Sequence, residues 1–127
     1  MTNPFGWIEI YVADMDLAQK FYETVLQVKL TDLTMPWDTG DTMKMLAFPS
    51  DMNGFGCSGA LVRMDGVNPG GWGTLAYFSC EDCTVLASRV AFAWGTIIQE
   101  KMSIGQYGFI AIVVDTESNM IGFHSMK

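Results

Sequence analysis

Residues 5–13, Phe-Gly-Trp-Ile-Glu-Ile-Tyr-Val-Ala, crowd aromatic and β-branched side chains together and predict a strand. Asp14 or Asp16 follows, a carboxylate able to accept the orphan N–H groups of a first helical turn. Leu17, Phe21 and Val25 then recur at i, i+4 and i+8, with Ala18, Tyr22 and Leu26 alongside, as in the apolar stripe of a helix lying on a sheet. Strand-like runs come next at about 28–34, 42–48 and 57–64, separated by turn-forming segments from Pro36 to Gly40 and from Pro49 to Gly56. Residues 65–73 hold four glycines and one proline in nine positions and read as a linker. Beyond it the order restarts. A strand is predicted over 74–80, then a helix capped by Asp82 and running to about Trp94, with Gly95 at its C-terminus. Strands near 96–101, 107–115 and 119–125 complete the chain.

A shift of 68 residues lays Asp14 on Asp82, Val12 on Cys80, Leu17 on Val85, Tyr22 on Val90 and Leu26 on Trp94. Near the module ends Gly59 falls on Gly122 at a shift of 63. The pattern predicts an α+β fold of two tandem βαβββ modules, about 5–64 and 74–126, joined by 65–73 within one domain spanning 1–127. Each module would contribute a curved mixed sheet to a cavity.

Composition narrows the partners. The 127 residues carry seven basic and fourteen acidic side chains, a formal charge of −7. Nucleic acid is disfavoured as a partner, because its phosphates demand a basic footprint. An anionic membrane surface is disfavoured for the same reason. No apolar run approaches the roughly 20 residues of a membrane span, and Glu9, Asp14, Asp16 and Lys20 break up the start of the chain. Three cysteines, Cys57, Cys80 and Cys83, make a poor disulfide framework, so the expected location is the cytoplasm.

Two stretches carry a family resemblance. The first is Trp7-Ile-Glu-Ile-Tyr-Val-Ala-Asp14 with Ala18 and Phe21-Tyr22-Glu23-Thr-Val-Leu26. The second is Asp115-Thr-Glu-Ser-Asn-Met-Ile-Gly-Phe-His124, with Ser118 where glycine is usual in a final Asp-x-Glu/Asp-Gly-Asn-x-Ile hairpin. Over roughly 5–126 the chain resembles the vicinal oxygen chelate superfamily of glyoxalase I, extradiol dioxygenases, and the bleomycin and fosfomycin resistance proteins. Within it, the chain looks closest to a glyoxalase-like branch of mostly unassigned activity. The resemblance implies paired βαβββ modules around a shared cavity, often a homodimer, and a small-molecule ligand. Because the superfamily hosts several chemistries, it does not settle the function.

Metal enzymes of that superfamily carry ligands on the first and last strands of each module, which here implies Trp7, Gly59, Leu75 and Gly122. None offers an imidazole, carboxylate or thiolate. Two residues further along, preserving side-chain direction, lie Glu9, Leu61, Tyr77 and His124, of which only Glu9 and His124 suit a metal. Neither a metal nor another cofactor is therefore expected. If positions 7 and 122 face the cavity, alternation adds Glu9, Tyr11, Arg63 and His124, with Leu61, Tyr77 and Ser79. Glu9, raised by desolvation, and His124, acting near neutral pH, are the candidate catalytic pair for proton abstraction next to a carbonyl. Trp7, Tyr11, Arg63 and Tyr77 are the candidate ligand-binding residues. The competing structural reading makes Glu9 and His124 a satisfied pair, or turns His124 outwards.

Other motifs weigh less. Cys80-Glu-Asp-Cys83 has redox spacing, but Glu81 and Asp82 oppose a thiolate beside them. Met35, Met43, Met45 and Met52 can fill the core or line a pliable apolar pocket. Trp37 and Trp72, in predicted loops, suit a ligand or a dimer interface. The expected function is metal-independent binding of a small, partly apolar ligand, with acid/base chemistry as an extension. The alternatives are a metal-dependent lyase or isomerase resembling glyoxalase I, and a non-catalytic dimeric binding module such as a drug-resistance binder.

Overall fold

The computed structural model describes residues 3–37 and 40–127; residues 38 and 39 of the predicted Pro36–Gly40 turn lie outside the described residues. The elements run β1 (Phe5–Tyr11), α1 (Met15–Leu26), β2 (Thr31–Asp32), β3 (Met43–Ala47), β4 (Gly59–Met64), β5 (Thr74–Ser79), α2 (Cys83–Val90), β6 (Thr96–Ser103), β7 (Phe109–Val114) and β8 (Met120–Ser125), with one 3-10 turn at Gly105–Tyr107. This is the βαβββ order written twice. The chain divides into two compact units, Ile8–Thr74 and the pair of segments Met1–Trp7 and Leu75–Lys127.

In the Ile8–Thr74 unit the strand order is β2-β3-β4-β1. β1 runs parallel to β4, with Ile8 opposite Gly59, Glu9 opposite Ala60, Ile10 opposite Leu61 and Tyr11 opposite Val62. β4 is antiparallel to β3, which places Met45 opposite Val62 and Leu46 opposite Leu61. Residues facing one another across a ladder share a side of the sheet. One side therefore carries Ile10, Leu46 and Leu61, which pack with Met15 and Leu30 beneath α1. The other carries Glu9, Tyr11, Ala60, Val62 and Met45.

α1 begins where predicted, its N-cap Asp14 accepting from the Leu17 N–H at 3.1 Å. Its orientation differs from the expectation. Leu17, Phe21 and Val25 are exposed, and Met15, with half-buried Ala18 and Tyr22, meets the sheet. The helix has two adjacent apolar faces, so spacing alone does not choose between them. A polar contact accompanies the choice: the Leu30 N–H donates to Glu23 Oε2 at 2.8 Å, tying this side of the helix to the strand that follows. That bond, with a second from the Gln19 amide, holds the Glu23 carboxyl below its ordinary range.

In the other unit the order is β5-β8-β7-β6. β5 is parallel to β8, with Tyr77 opposite Gly122, Phe78 opposite Phe123 and Ser79 opposite His124. Phe78 and Phe123 face α2, where Cys83, Ala87, Ala111 and Val113 are buried. Phe5 stacks on Phe78 at 4.7 Å between ring centroids. Asp82 caps α2, accepting from the Thr84 N–H at 2.9 Å, so the predicted equivalence with Asp14 extends to function at the cap. Lys101 donates to the same Asp82 carboxylate at 2.9 Å, and this bond holds it below the usual carboxylate range.

Three boundaries move. α2 ends at Val90 rather than near Trp94; the chain turns through 91–94, and Trp94 itself takes the left-handed conformation at φ 73°. Gly95 has a different role from the cap predicted: a Cβ there would lie 2.8 Å from the Val114 carbonyl oxygen and the Val90 side chain. The predicted 28–34 strand shortens to Thr31–Asp32. The register places Gly122 opposite Tyr77 and Ala60 opposite Glu9, so with 77 and 9 related by 68 the matching shift near the module ends is 62, not 63. Ser118, at φ 65°, occupies the turn position that favours glycine. Asp115 compensates locally, its carboxylate accepting from the N–H groups of Glu117 and Asn119 at 2.8 and 2.9 Å.

Candidate functional site

β1 alternates its side chains, and the second and fourth residues of its Ile8–Tyr11 stretch turn away from α1. Those are Glu9 and Tyr11, respectively 8% and 7% exposed. The Tyr11 hydroxyl donates to Glu9 Oε1 at 2.9 Å. Burial, with the Glu9 carboxylate beside it, pushes the Tyr11 phenol well above its ordinary range, so Tyr11 is a fixed donor at physiological pH. Sequence reasoning placed both residues on one face but did not pair them; their i, i+2 spacing on a strand was the available signal.

Arg63 and Leu61 do not share that face. Alternation along the sequence gives Gly59 the parity of Trp7, whereas the ladder sets Gly59 opposite Ile8. The one-residue offset sends Leu61 into the core beneath α1 and Arg63 to the same side of β4. There Arg63 bonds the Asp65 carboxylate at 3.1 Å and the Asp41 carbonyl oxygen.

The face that carries Glu9 continues across β3. Met45 lies opposite Val62 and Met43 opposite Met64. The Leu33 N–H donates to the Met45 carbonyl at 3.1 Å, prolonging the β2–β3 ladder past Asp32. An open groove of about 340 Å³ lies here, lined by Leu33, Met35, Trp37, Met43 and Met45 with Asp32, Thr34, Gly40 and Lys44. Three of the four methionines noted in the sequence thus line one groove, while Met52 stands 94% exposed outside it. Leu33 was missed because it fell inside the predicted 28–34 strand, which ends at Asp32.

In the other unit, Tyr77, Ser79, Gly122 and His124 do share one side of the sheet, opposite α2. His124 Nε2 lies 2.6 Å from the Tyr107 carbonyl oxygen. A carbonyl only accepts, so this nitrogen carries the proton and ties β8 to the 3-10 turn. Tyr77 is buried, and its ring lies across Gly122, where any Cβ would collide with it.

The cysteine pair is structural in its contacts. Cys83, fully buried as the first residue of α2, accepts from the Ser125 hydroxyl at 3.1 Å and donates its N–H to the same oxygen. Burial, then the neighbouring Cys83 thiol and the Asp82 charge, pushes Cys80 up to about 11. All three cysteines are free thiols.

A metal of the kind suggested by the resemblance does not fit the residues present. Trp7, Leu75 and Gly122 offer no donor atom, and the Tyr77 ring fills the space in front of Gly122. Replacing Gly59 by Ala60, as the register requires, adds none. Among the described residues no group of three or more His, Cys, Asp or Glu side chains is arranged to hold an ion.

Two βαβββ units, each with a mixed sheet backed by one helix, define a paired-module α+β protein. The chain belongs to the Glyoxalase/Bleomycin resistance protein/Dioxygenase superfamily, whose family model matches residues 5–119. No curated protein matches the chain. Among solved structures, a hypothetical protein from Bacillus halodurans is similar with a TM-score of 0.73 at 16% identity, covering 100% of this chain and 96% of that one. Methylmalonyl-CoA epimerase from Mycobacterium tuberculosis gives 0.68 at 14% identity, covering 98% and 88%. Streptomyces coelicolor methylmalonyl-CoA epimerase, in complex with 2-nitronate-propionyl-CoA, gives 0.64 at 13% identity, covering 96% of each chain. At these identities the likeness is one of fold. Among the described residues no helix is long and apolar enough to cross a membrane.

Proposed function

We propose that this protein binds a small, partly apolar ligand without a metal, on the face of β1, β3 and β4 opposite α1, and that Glu9 accepts a proton from a carbon next to the ligand's carbonyl. The supporting observation is the buried Glu9 carboxylate, held by Tyr11 at 2.9 Å. Buried carboxylates are rare unless paired or used. Epimerisation next to a thioester carbonyl, the reaction named for two of the similar structures, is chemistry of this kind. Trp7 and Tyr77 are proposed as aromatic ligand-binding residues, and His124 as a second acid/base group acting through Nδ1.

The test is deuterium uptake at the carbon next to the thioester of methylmalonyl-CoA, in D2O containing EDTA. The wild type should exchange above the uncatalysed rate, and Glu9→Gln should lose that excess by a factor of about 10²–10⁴, the usual worth of a general base. His124→Asn serves as the companion variant for the second group. No exchange by wild type, or exchange unchanged in Glu9→Gln, would sink the proton-transfer role.

A second reading is a non-catalytic binding module. It is favoured by the same bond, because Tyr11 satisfies Glu9 as a structural partner would. Ligand-dependent stabilisation without exchange would select it. We further propose a cytoplasmic homodimer. Three free thiols support a reducing compartment, and exposed Leu17, Phe21 and Val25 support self-association. Sedimentation showing only monomer at micromolar concentration would remove the dimer.

A further inference from the structure

The groove beside β3 has a lining of unusual chemistry. Leu33, Met35, Trp37, Met43 and Met45 alternate in sequence with Asp32, Thr34 and Lys44, along β3 and along β2 with the non-strand stretch that follows it. The ladder fixes the side of the sheet for Asp32, Met43, Lys44 and Met45. Asp32 lies opposite Leu46 and Lys44 opposite Arg63, and Leu46 packs beneath α1. Both side chains therefore leave the sheet on its helix side, yet Asp32 and Lys44 also line the groove and bring one charge of each sign to it. The rest of its described lining is one indole, one branched aliphatic group, three thioethers, Thr34 and Gly40.

That lining discriminates among apolar ligands. Thioether sulfur is polarisable, sits favourably near aromatic rings and re-packs through three rotatable bonds. Indole adds a flat face for offset stacking. A straight alkyl chain gains neither interaction, and a charged ligand would meet one charge of its own sign as well as one opposite. The volume of about 340 Å³ accommodates a ligand portion of one to three fused rings. Trp37 is 41% exposed, so the indole remains accessible at the groove mouth.

We propose that this groove is a binding site for an uncharged planar aromatic group, seated between Trp37 and the sulfurs of Met35, Met43 and Met45. This rests on the proposed reading of a small, partly apolar ligand on this face and gives that ligand's apolar portion a chemical class. Glu9, on the same side of the sheet but outside the groove's lining, is not needed for ring binding.

The experiment is fluorescence titration with N-phenyl-1-naphthylamine, a neutral ring compound that brightens in apolar surroundings. Saturable binding of one dye per chain is expected, with 1-naphthol displacing it at least tenfold more effectively than 1-decanol of equal carbon count. Trp37→Ala should weaken binding about tenfold, Trp37→Phe should restore most of it, and Met45→Ala should weaken it further. Trp37 is surface-accessible, so Trp37→Ala keeps the fold intact for the measurement even where Met45→Ala does not. Uptake that does not saturate, equal displacement by decanol, or unchanged binding in Trp37→Ala would overturn the proposal. Glu9→Gln should bind the dye as the wild type does; ring binding with no deuterium exchange would reject the proton-transfer reading and leave the groove standing.

Discussion

Glu9 and Tyr11 show how two polar residues two apart on one strand meet their burial with a shared hydrogen bond. The phenol must stay protonated to donate, because a buried phenolate beside a carboxylate would add like charge where water is scarce. Its folded-state pKa is raised, so its contribution to stability is fully present below the ordinary phenol value of about 10. That contribution is lost as pH rises above this value, since the unfolded chain gives up the proton first. Alkaline unfolding should therefore steepen above about pH 10, and Tyr11→Phe should flatten it while lowering stability at neutral pH. Circular dichroism at a series of pH values measures this. The Cys80 thiol, also raised, contributes the same slope to both proteins and cancels in the comparison. Coincident profiles for the two would show that Tyr11 ionises as freely in the fold as out of it.

Elements were legible in the sequence wherever one face alone is apolar or one residue type alone fits. Asp14 and Asp82 announced both helices because a carboxylate before an apolar run has few other uses. Seven of the eight strands fell close to their predicted spans for a similar reason, period-two alternation bounded by turn residues. What failed was rotation and parity. α1 carries Met15, Ala18 and Tyr22 on one face and Leu17, Phe21 and Val25 on the next, and period alone cannot rank them. The β1–β4 register slipped by one in the reading because glycine at 59 hides side-chain direction, and that single step misplaced Arg63. The helix orientation has a direct consequence. Met15→Ala should cost about 2–5 kcal/mol, the usual loss for emptying a buried methionine site. Phe21→Gln, on the exposed face, should stay within about 0.5 kcal/mol in the isolated monomer. Urea denaturation of the two variants decides, and the reverse ranking would restore the stripe read from the sequence.

At the scale of the whole molecule, the fold and the donor atoms point in different directions. The resemblance implies metal ligands at defined strand positions in the superfamily's metal enzymes, and the fold alone does not fix what those positions carry. Here they carry Trp7, Ala60, Leu75 and Gly122, and the Tyr77 ring covers the last. Two residues along from these positions, Glu9 is already bonded by Tyr11, and His124 Nε2 is committed to Tyr107. Too few donors remain for the three or four that zinc or nickel normally takes. Purified protein challenged with Zn, Ni, Mn or Fe(II) and then dialysed should retain well under one ion per chain, with a melting temperature unchanged by EDTA. Cys57, an exposed thiol, can bind such ions weakly, and Cys57→Ser removes that contribution. One ion per chain surviving dialysis in Cys57→Ser would mean that the ligand positions had moved along the strands. The glyoxalase-like lyase or isomerase would then become the better reading, with Glu9 and His124 as its first candidate ligands.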